Sequence, residues 1–315
     1  MKTTRLLLTA SAAALCALSA APAQATIIFA YGESYSAAVS STTITEYNAA
    51  GNPDGSLTLS TSLGSEVRGL TFGPDGLLYL TEVVGSGFNV LAINSSGTVQ
   101  HTYTMPAVYA AGSTSYGKIA MDAQYIYVTA ASQLTRFTIG NPTSGTVIYS
   151  NPNDAFDVNI LPNGNLLVAS SNSINEITST GALVRTLDTH GFLLGDIRGL
   201  QYVAATGKLF VTMLGYTGEQ YQIMRFDELT GVLEKQTTFT YADDLFLAAN
   251  GNLLVASRTL APGIFTQELV QVGSLGTAPQ MFVTQDTAPE PTSMALLLGG
   301  TALLALRRRR SPAGA

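Results

Sequence analysis

Nine charged side chains gather at five places in a chain that is otherwise poor in charge. Residues 65–68, 115–118, 154–157, 195–198 and 241–244 hold Glu66, Arg68, Lys118, Asp154, Asp157, Asp196, Arg198, Asp243 and Asp244. Only 11% of the chain is charged, so twenty positions would carry about two charges by chance. The candidate binding residues are Glu66, Arg68, Lys118, Asp157, Asp196, Arg198, Asp243 and Asp244. An arginine fork holds carboxylates or sugar hydroxyls in two-point contact. Clustered carboxylates suit Ca²⁺, a hard cation that prefers oxygen ligands. Acid–base and covalent chemistry have less to work with. The chain has one cysteine, Cys16, and two histidines, His101 and His190. No Ser-His-Asp order, zinc motif or phosphate-binding glycine loop is legible. Asp243 and Asp244 are adjacent, and neighbours on a strand point to opposite faces, which makes them a poor acid/base pair. No catalytic residue is assigned, and the reading leans away from an enzyme.

A repeat must position these charges. Six segments share one strand pattern: Ile27 to Ala30, Leu78 to Thr81, Ile126 to Thr129, Leu166 to Ala169, Leu209 to Thr212 and Leu253 to Ala256. The third residue of each is large and apolar, and the fourth is Ala or Thr. A small fourth residue in every copy implies that neighbouring sheets approach closely there. A further strand follows each segment, marked by Ile44/Tyr47, Val90/Ile93, Leu134/Phe137, Ile174/Ile177, Ile223/Phe226 and Leu269/Val272. Gly51, Gly97, Gly145, Gly181, Gly231 and Gly276 are read as the turns that close these units. Asp75-Gly76, Asn163-Gly164 and Asn250-Gly251 are hairpin dipeptides in which glycine accepts positive φ; Thr206-Gly207 serves the same end. Four short antiparallel strands every 40–50 residues predict an all-β, six-bladed β-propeller over residues 26–287. A two-sheet sandwich would not account for six copies in phase. The stretch from Pro279 to Thr284 either adds an outer strand to the last unit or pairs into the first, which lacks its innermost strand.

In such a ring the innermost strands start at one rim of a central channel, so the nine charges, with Glu82 and Arg258, predict a polar rim. The plainer alternative is that strand ends are solvated, or that Arg68 and Arg198 pair with rim carboxylates to hold blades together. The unit Gly69-Leu70-Thr71-Phe72-Gly73-Pro74-Asp75-Gly76-Leu77-Leu78-Tyr79-Leu80-Thr81 resembles the six-bladed NHL/TolB-like and gluconolactonase-type propellers. The gluconolactonase resemblance implies a metal-dependent hydrolase or lactonase using Glu66, Asn159 and rim aspartates. The segment Gly64-Ser65-Glu66-Val67-Arg68-Gly69 matches that family's metal-binding glutamate segment only at Glu66.

Both ends read as sorting signals. Lys2 and Arg5 precede an apolar stretch from Leu6 to about Ala20, and Ala23-Gln24-Ala25 suits signal peptidase. Residues 1–25 are therefore a predicted signal peptide, cleaved before Thr26. Cleavage removes Cys16 and leaves no thiol chemistry. At the other end, Pro289-Glu290-Pro291 precedes the apolar run Met294 to Leu306 and then Arg307, Arg308, Arg309 and Arg310. That run is shorter than the ~20 residues of an ordinary spanning helix. Residues 288–310 resemble the PEP-CTERM sorting signal, with its short transmembrane helix, and residues 311–315 are a tail. The resemblance implies an exosortase substrate of a Gram-negative bacterium, transiently anchored in the inner membrane and finally at the outer surface or in the extracellular matrix. Partners would be signal peptidase, exosortase, and an exopolysaccharide or matrix protein.

Removing the two ends leaves nine basic and 20 acidic residues of the 15 and 21 in the chain. This acidic balance argues against nucleic acid as a partner. The leading expectation is a propeller that binds a glycan, peptide or protein at its rim, without a cofactor and with Ca²⁺ as the candidate ion. The alternatives are the hydrolase and a purely structural matrix component.

Overall fold

The computed structural model describes residues 26–285 except 31–42, 48–52, 62, 64–65, 85–86, 106–116, 151–154, 190–194, 216–220, 249, 258–259 and 275–280. The sorting expectations for residues 1–25 and 288–315 lie outside the described residues, as do those for Asp154, His190 and Arg258. Among the described residues no helix is long and apolar enough to cross a membrane.

The chain is all-β. The first sheet contains β1 (Thr26–Ala30), β2 (Thr43–Tyr47) and β3 (Pro53–Thr58). The second is β4 (Glu66–Phe72), β5 (Leu78–Val84), β6 (Gly87–Ile93) and β7 (Val99–Thr104). The third is β8 (Ile119–Met121), β9 (Tyr125–Ala130), β10 (Gln133–Thr138) and β11 (Asn141–Ser150). The fourth is β12 (Asp157–Ile160), β13 (Leu166–Ala169), β14 (Ile174–Ile177) and β15 (Leu183–Thr186). The fifth is β16 (Gly195–Val203), β17 (Lys208–Gly215), β18 (Tyr221–Asp227) and β19 (Leu233–Thr238). The sixth is β20 (Ala242–Leu247), β21 (Leu253–Ser257), β22 (Gly263–Phe265) and β23 (Gln271–Ser274). Five of these sheets are thus four consecutive antiparallel strands, the propeller unit that the repeat requires. The first sheet departs from that rule. Its inner position is taken by β24 (Met281–Gln285), which pairs antiparallel with β1, Phe29 opposite Phe282. Residues 281–285 therefore supply the inner strand of the first sheet. The inner strands pack in the cycle β4–β8–β12–β16–β20–β24–β4.

The repeated second strands fill the core between sheets. Leu80, Val128, Val168, Val211 and Val255 are fully buried, and so are Thr81, Thr129, Ala169, Thr212 and Ala256 beside them. The small fourth residue has a visible reason. The Thr81 hydroxyl donates to the Gly117 carbonyl of the third sheet. That of Thr129 donates to the Phe156 carbonyl of the fourth, at 3.3 Å. A longer side chain would hold the sheets apart. The closing glycines show the same economy. Gly97, Gly181 and Gly231 all have positive φ, and a methyl on any of them would strike a backbone carbonyl of the preceding sheet: Thr58, Ile148 or Asp188.

Two details of the repeat are corrected. Gly145 lies inside β11, and the turn of that unit is at Gly140, with φ of 75°. Leu269 and Val272 do not mark the third strand of the last unit. That strand is Gly263–Phe265, where Phe265 meets Phe239 edge-on at 5.3 Å, while Leu269 sits in the following turn at φ 54°. The three-residue spacing of Leu269 and Val272 imitates that of the other third strands, but Val272 is exposed.

Candidate functional site

Beta-bulges shape the inner strands where the charges lie. In β4 the pairing with β5 skips one residue between Val67 and Gly69, in β16 between Ile197 and Gly199, and in β20 between Ala242 and Asp244. The extra residues are Arg68, Arg198 and Asp243. A bulge breaks alternation and re-aims a side chain. Hence the simple opposite-faces rule does not describe Asp243 and Asp244. The glycine after each arginine is needed for close approach. A methyl on Gly69 would lie 2.5 Å from the Gly117 carbonyl oxygen, and one on Gly199 would lie 2.9 Å from the Leu245 amide nitrogen.

The inner strands enclose a cavity of about 280 Å³. Lys118, Asp157 and Asp244 line it, with Thr71, Asn159 and Gln201 as neutral polar groups and Met121, Ile160 and Phe246 as apolar ones. Lys118 belongs to the third sheet: its amide donates to Thr129 Oγ1 and its carbonyl accepts from the Thr129 amide. Asp244 belongs to the sixth. In the cycle of inner strands β8 and β20 are separated by two strands on either side, so they face each other. The Lys118 ammonium nevertheless lies 2.5 Å from Asp244 Oδ2. The ion pair crosses the channel. Both side chains are largely out of water, at 10% and 14% exposure.

Asp157 completes the cluster from the fourth sheet. It is buried, and its oxygens accept the amides of Leu200 on β16 at 2.6 Å and of Val158 at 2.7 Å. Two positions on, Asn159 Oδ1 accepts the Tyr202 amide at 3.4 Å. These two side chains satisfy amides on the inner edge of β16, so one role of Asp157 is architectural. Burial pushes its carboxyl up to about 7, against the pull of Lys118 and with a further push from Asp244. Burial also raises Asp244, opposed by Lys118. One ammonium thus faces two buried carboxylates, and the resulting surplus of negative charge favours holding a proton at neutral pH.

Three of the eight candidate residues, Lys118, Asp157 and Asp244, are therefore brought together in the cavity. Arg198 is buried and lies 3.5 Å from Asp196 of its own strand. Arg68 packs beside Gly117, next to Lys118. Asp243 stands at its bulge, and Glu66 opens β4 opposite Val83. None of these five lines the cavity. Glu82 is buried and accepts from Asn89 at 3.3 Å. His101 lies on β7 beside Tyr103, away from the inner strands. Thr71 and Gln201 were not singled out from sequence. Their signal is the match between Glu66-Val67-Arg68-Gly69-Leu70-Thr71-Phe72 and Asp196-Ile197-Arg198-Gly199-Leu200-Gln201-Tyr202, which places both at one position of the inner strand. Among the described residues no three His, Cys, Asp or Glu side chains form a group suited to a metal ion.

No protein-family model matches the chain, and no curated protein matches its sequence. Solved structures do share its fold. A Bacteroides caccae protein of unknown function matches with a TM-score of 0.57 at 14% identity, over 84% of this chain and 99% of that one. A chain of a nidogen–laminin complex matches with 0.61 at 12%, over 83% and 98%. A Bacteroides fragilis protein provisionally assigned as a 6-phosphogluconolactonase matches with 0.54 at 13%, over 84% and 98%. At such identities the likeness carries the propeller fold and nothing finer.

Proposed function

We propose that this chain is an exported six-bladed propeller of the cell surface or extracellular matrix that binds a carbohydrate at its central channel. The observation that carries the reading is the Lys118–Asp157–Asp244 cluster inside a 280 Å³ cavity walled by several inner strands. Pockets of this kind combine apolar walls with a few placed polar groups. Here carboxylate, ammonium, amide and hydroxyl groups surround one small space, a set that matches the mixed donors and acceptors of a sugar ring. A protein partner would need far more area than this cavity offers.

Support for export comes from the two chain ends: the basic, apolar and A-x-A segments of residues 1–25, and the Pro-Glu-Pro, apolar and arginine segments of 288–310. On this reading signal peptidase and exosortase process the chain, and an exopolysaccharide is its partner. The six-blade count rests on β24 closing the ring through β1. The hydrolase alternative is disfavoured by the cluster itself, because the Lys118 ammonium already supplies the positive charge facing the carboxylates.

The test has two parts. Exopolysaccharide purified from the producing bacterium should bind the protein, and Asp244→Asn should reduce affinity at least tenfold while Arg185→Ala does not. Mass spectrometry of the secreted product should give an N-terminus at Thr26 and a C-terminus near Pro289. Equal binding by both variants would overturn the site, and an intact C-terminus would overturn the sorting.

A further inference from the structure

The ion pair between Lys118 and Asp244 has a consequence for which part of a ligand the channel can take. Lys118, just before β8, and Asp244 of β20 lie on facing sides of the ring, and their 2.5 Å contact spans it. Asp157 adds a third group from between them, held in place by two amide hydrogen bonds. A chain passing through the channel would have to part a pair whose side chains are 10% and 14% exposed. The space beside the pair is about 280 Å³. With the pair in place a chain can enter this space by one end but cannot thread through it.

We infer that the site receives the terminal unit of a hydroxylated chain and not an internal stretch, with Lys118 and Asp244 as the residues that impose this. The pair acts as an end wall. The terminal unit meets Lys118, Asp157 and Asp244 at that wall and Thr71, Asn159 and Gln201 along the sides. Units further along the chain stay outside and add little. This inference rests on the carbohydrate reading above.

The experiment uses a panel of defined hexose oligomers, one to six units long, with several linkages, titrated against the full chain by calorimetry. Affinity for the linkage that binds should vary by no more than about twofold between the dimer and the hexamer. Periodate oxidation confined to the non-reducing terminal ring should abolish binding, or oxidation at the reducing end should do so, but not both. In Lys118→Met, checked for a native circular dichroism spectrum, affinity should come to depend on length. Should Lys118→Met not fold, the two end modifications test the inference on the wild-type protein alone. A wild-type affinity that climbs tenfold or more from dimer to hexamer and ignores both end modifications would overturn end-on recognition while leaving the site in place. Absence of binding across the panel would overturn both.

Discussion

Two sets of ion pairs, built from the same residue types, do different work in this molecule. On the outside, Arg136 of β10 donates to the Ser179 carbonyl at 2.7 Å, Arg185 of β15 to that of Leu229 at 3.0 Å, and Arg225 of β18 to that of Gln267 at 2.7 Å. Each reaches from one sheet to a turn of the next. Carboxylates support them: Glu176 lies 2.7 Å from Arg185, which also meets Glu228, and Glu268 lies 2.6 Å from Arg225. Lys208 bridges Asp227 and Glu234. On the inside, Lys118 and Asp244 join sheets on facing sides of the ring, with Asp157 beside them. In every outer pair at least one side chain is about a quarter or more exposed, Arg185 at 31% beside the buried Glu176 and Glu268 at 65% beside Arg225. Screening leaves such pairs worth about 0–1 kcal/mol. Both side chains of the inner pair are largely out of water, so removing Lys118 would leave two buried carboxylates uncompensated. A count of ion pairs would treat the two sets alike. Burial separates them.

Lys118→Met should break the comparison most sharply. It leaves two buried carboxylates without their ammonium, and urea denaturation at pH 8 should register a loss of about 3–5 kcal/mol, the usual cost of orphaning one member of a buried pair. The pH dependence comes next. Asp157 is raised by burial to about 7, well above its unfolded value near 3.9. Such a group favours the folded state in its protonated form. Its contribution is complete below pH ~4 and is lost as pH rises through about 7. The urea midpoint should fall across that window, and Asp157→Asn should flatten the fall. Asp227 is held down at about 2, by Thr230 before Lys208, so its contribution has the opposite sign and fades only in stronger acid. Packing at the inner strands should show a smaller effect. Gly199→Ala places a methyl 2.9 Å from the Leu245 amide and should cost about 1–3 kcal/mol, the range for overpacking. Smallest of all, Arg225→Ala should cost under about 1 kcal/mol, and that loss should shrink further in 0.5 M salt.

Much of the fold could be read before any coordinates. The glycines at 76, 164, 207 and 251 take positive φ, as their dipeptides imply. Five of the six predicted third strands contain their paired apolar residues in place. The misphased one, at Leu269 and Val272, failed because pattern alone does not tell a buried strand from an exposed one. The site was harder. Which charges share a cavity depends on bulges at Arg68, Arg198 and Asp243, and a one-residue bulge leaves little trace in composition. The meeting of Lys118 with Asp244 depends on their strands facing each other in the ring. Local pattern marks a strand but not what lies across a channel. For the same reason the strand that fills the first sheet could be placed in either of two sheets until its pairing with β1 was seen.

The direct test of the contrast is a double-mutant cycle run in parallel on two pairs, Lys118→Met with Asp244→Leu and Arg185→Met with Glu228→Leu, read by urea denaturation at pH 8. A coupling of about 2 kcal/mol or more for Lys118–Asp244, against less than about 1 kcal/mol for Arg185–Glu228, is the result this account predicts. Equal couplings, or a Lys118–Asp244 value near zero, would contradict a buried ion pair spanning the channel and remove the wall on which end-on binding depends.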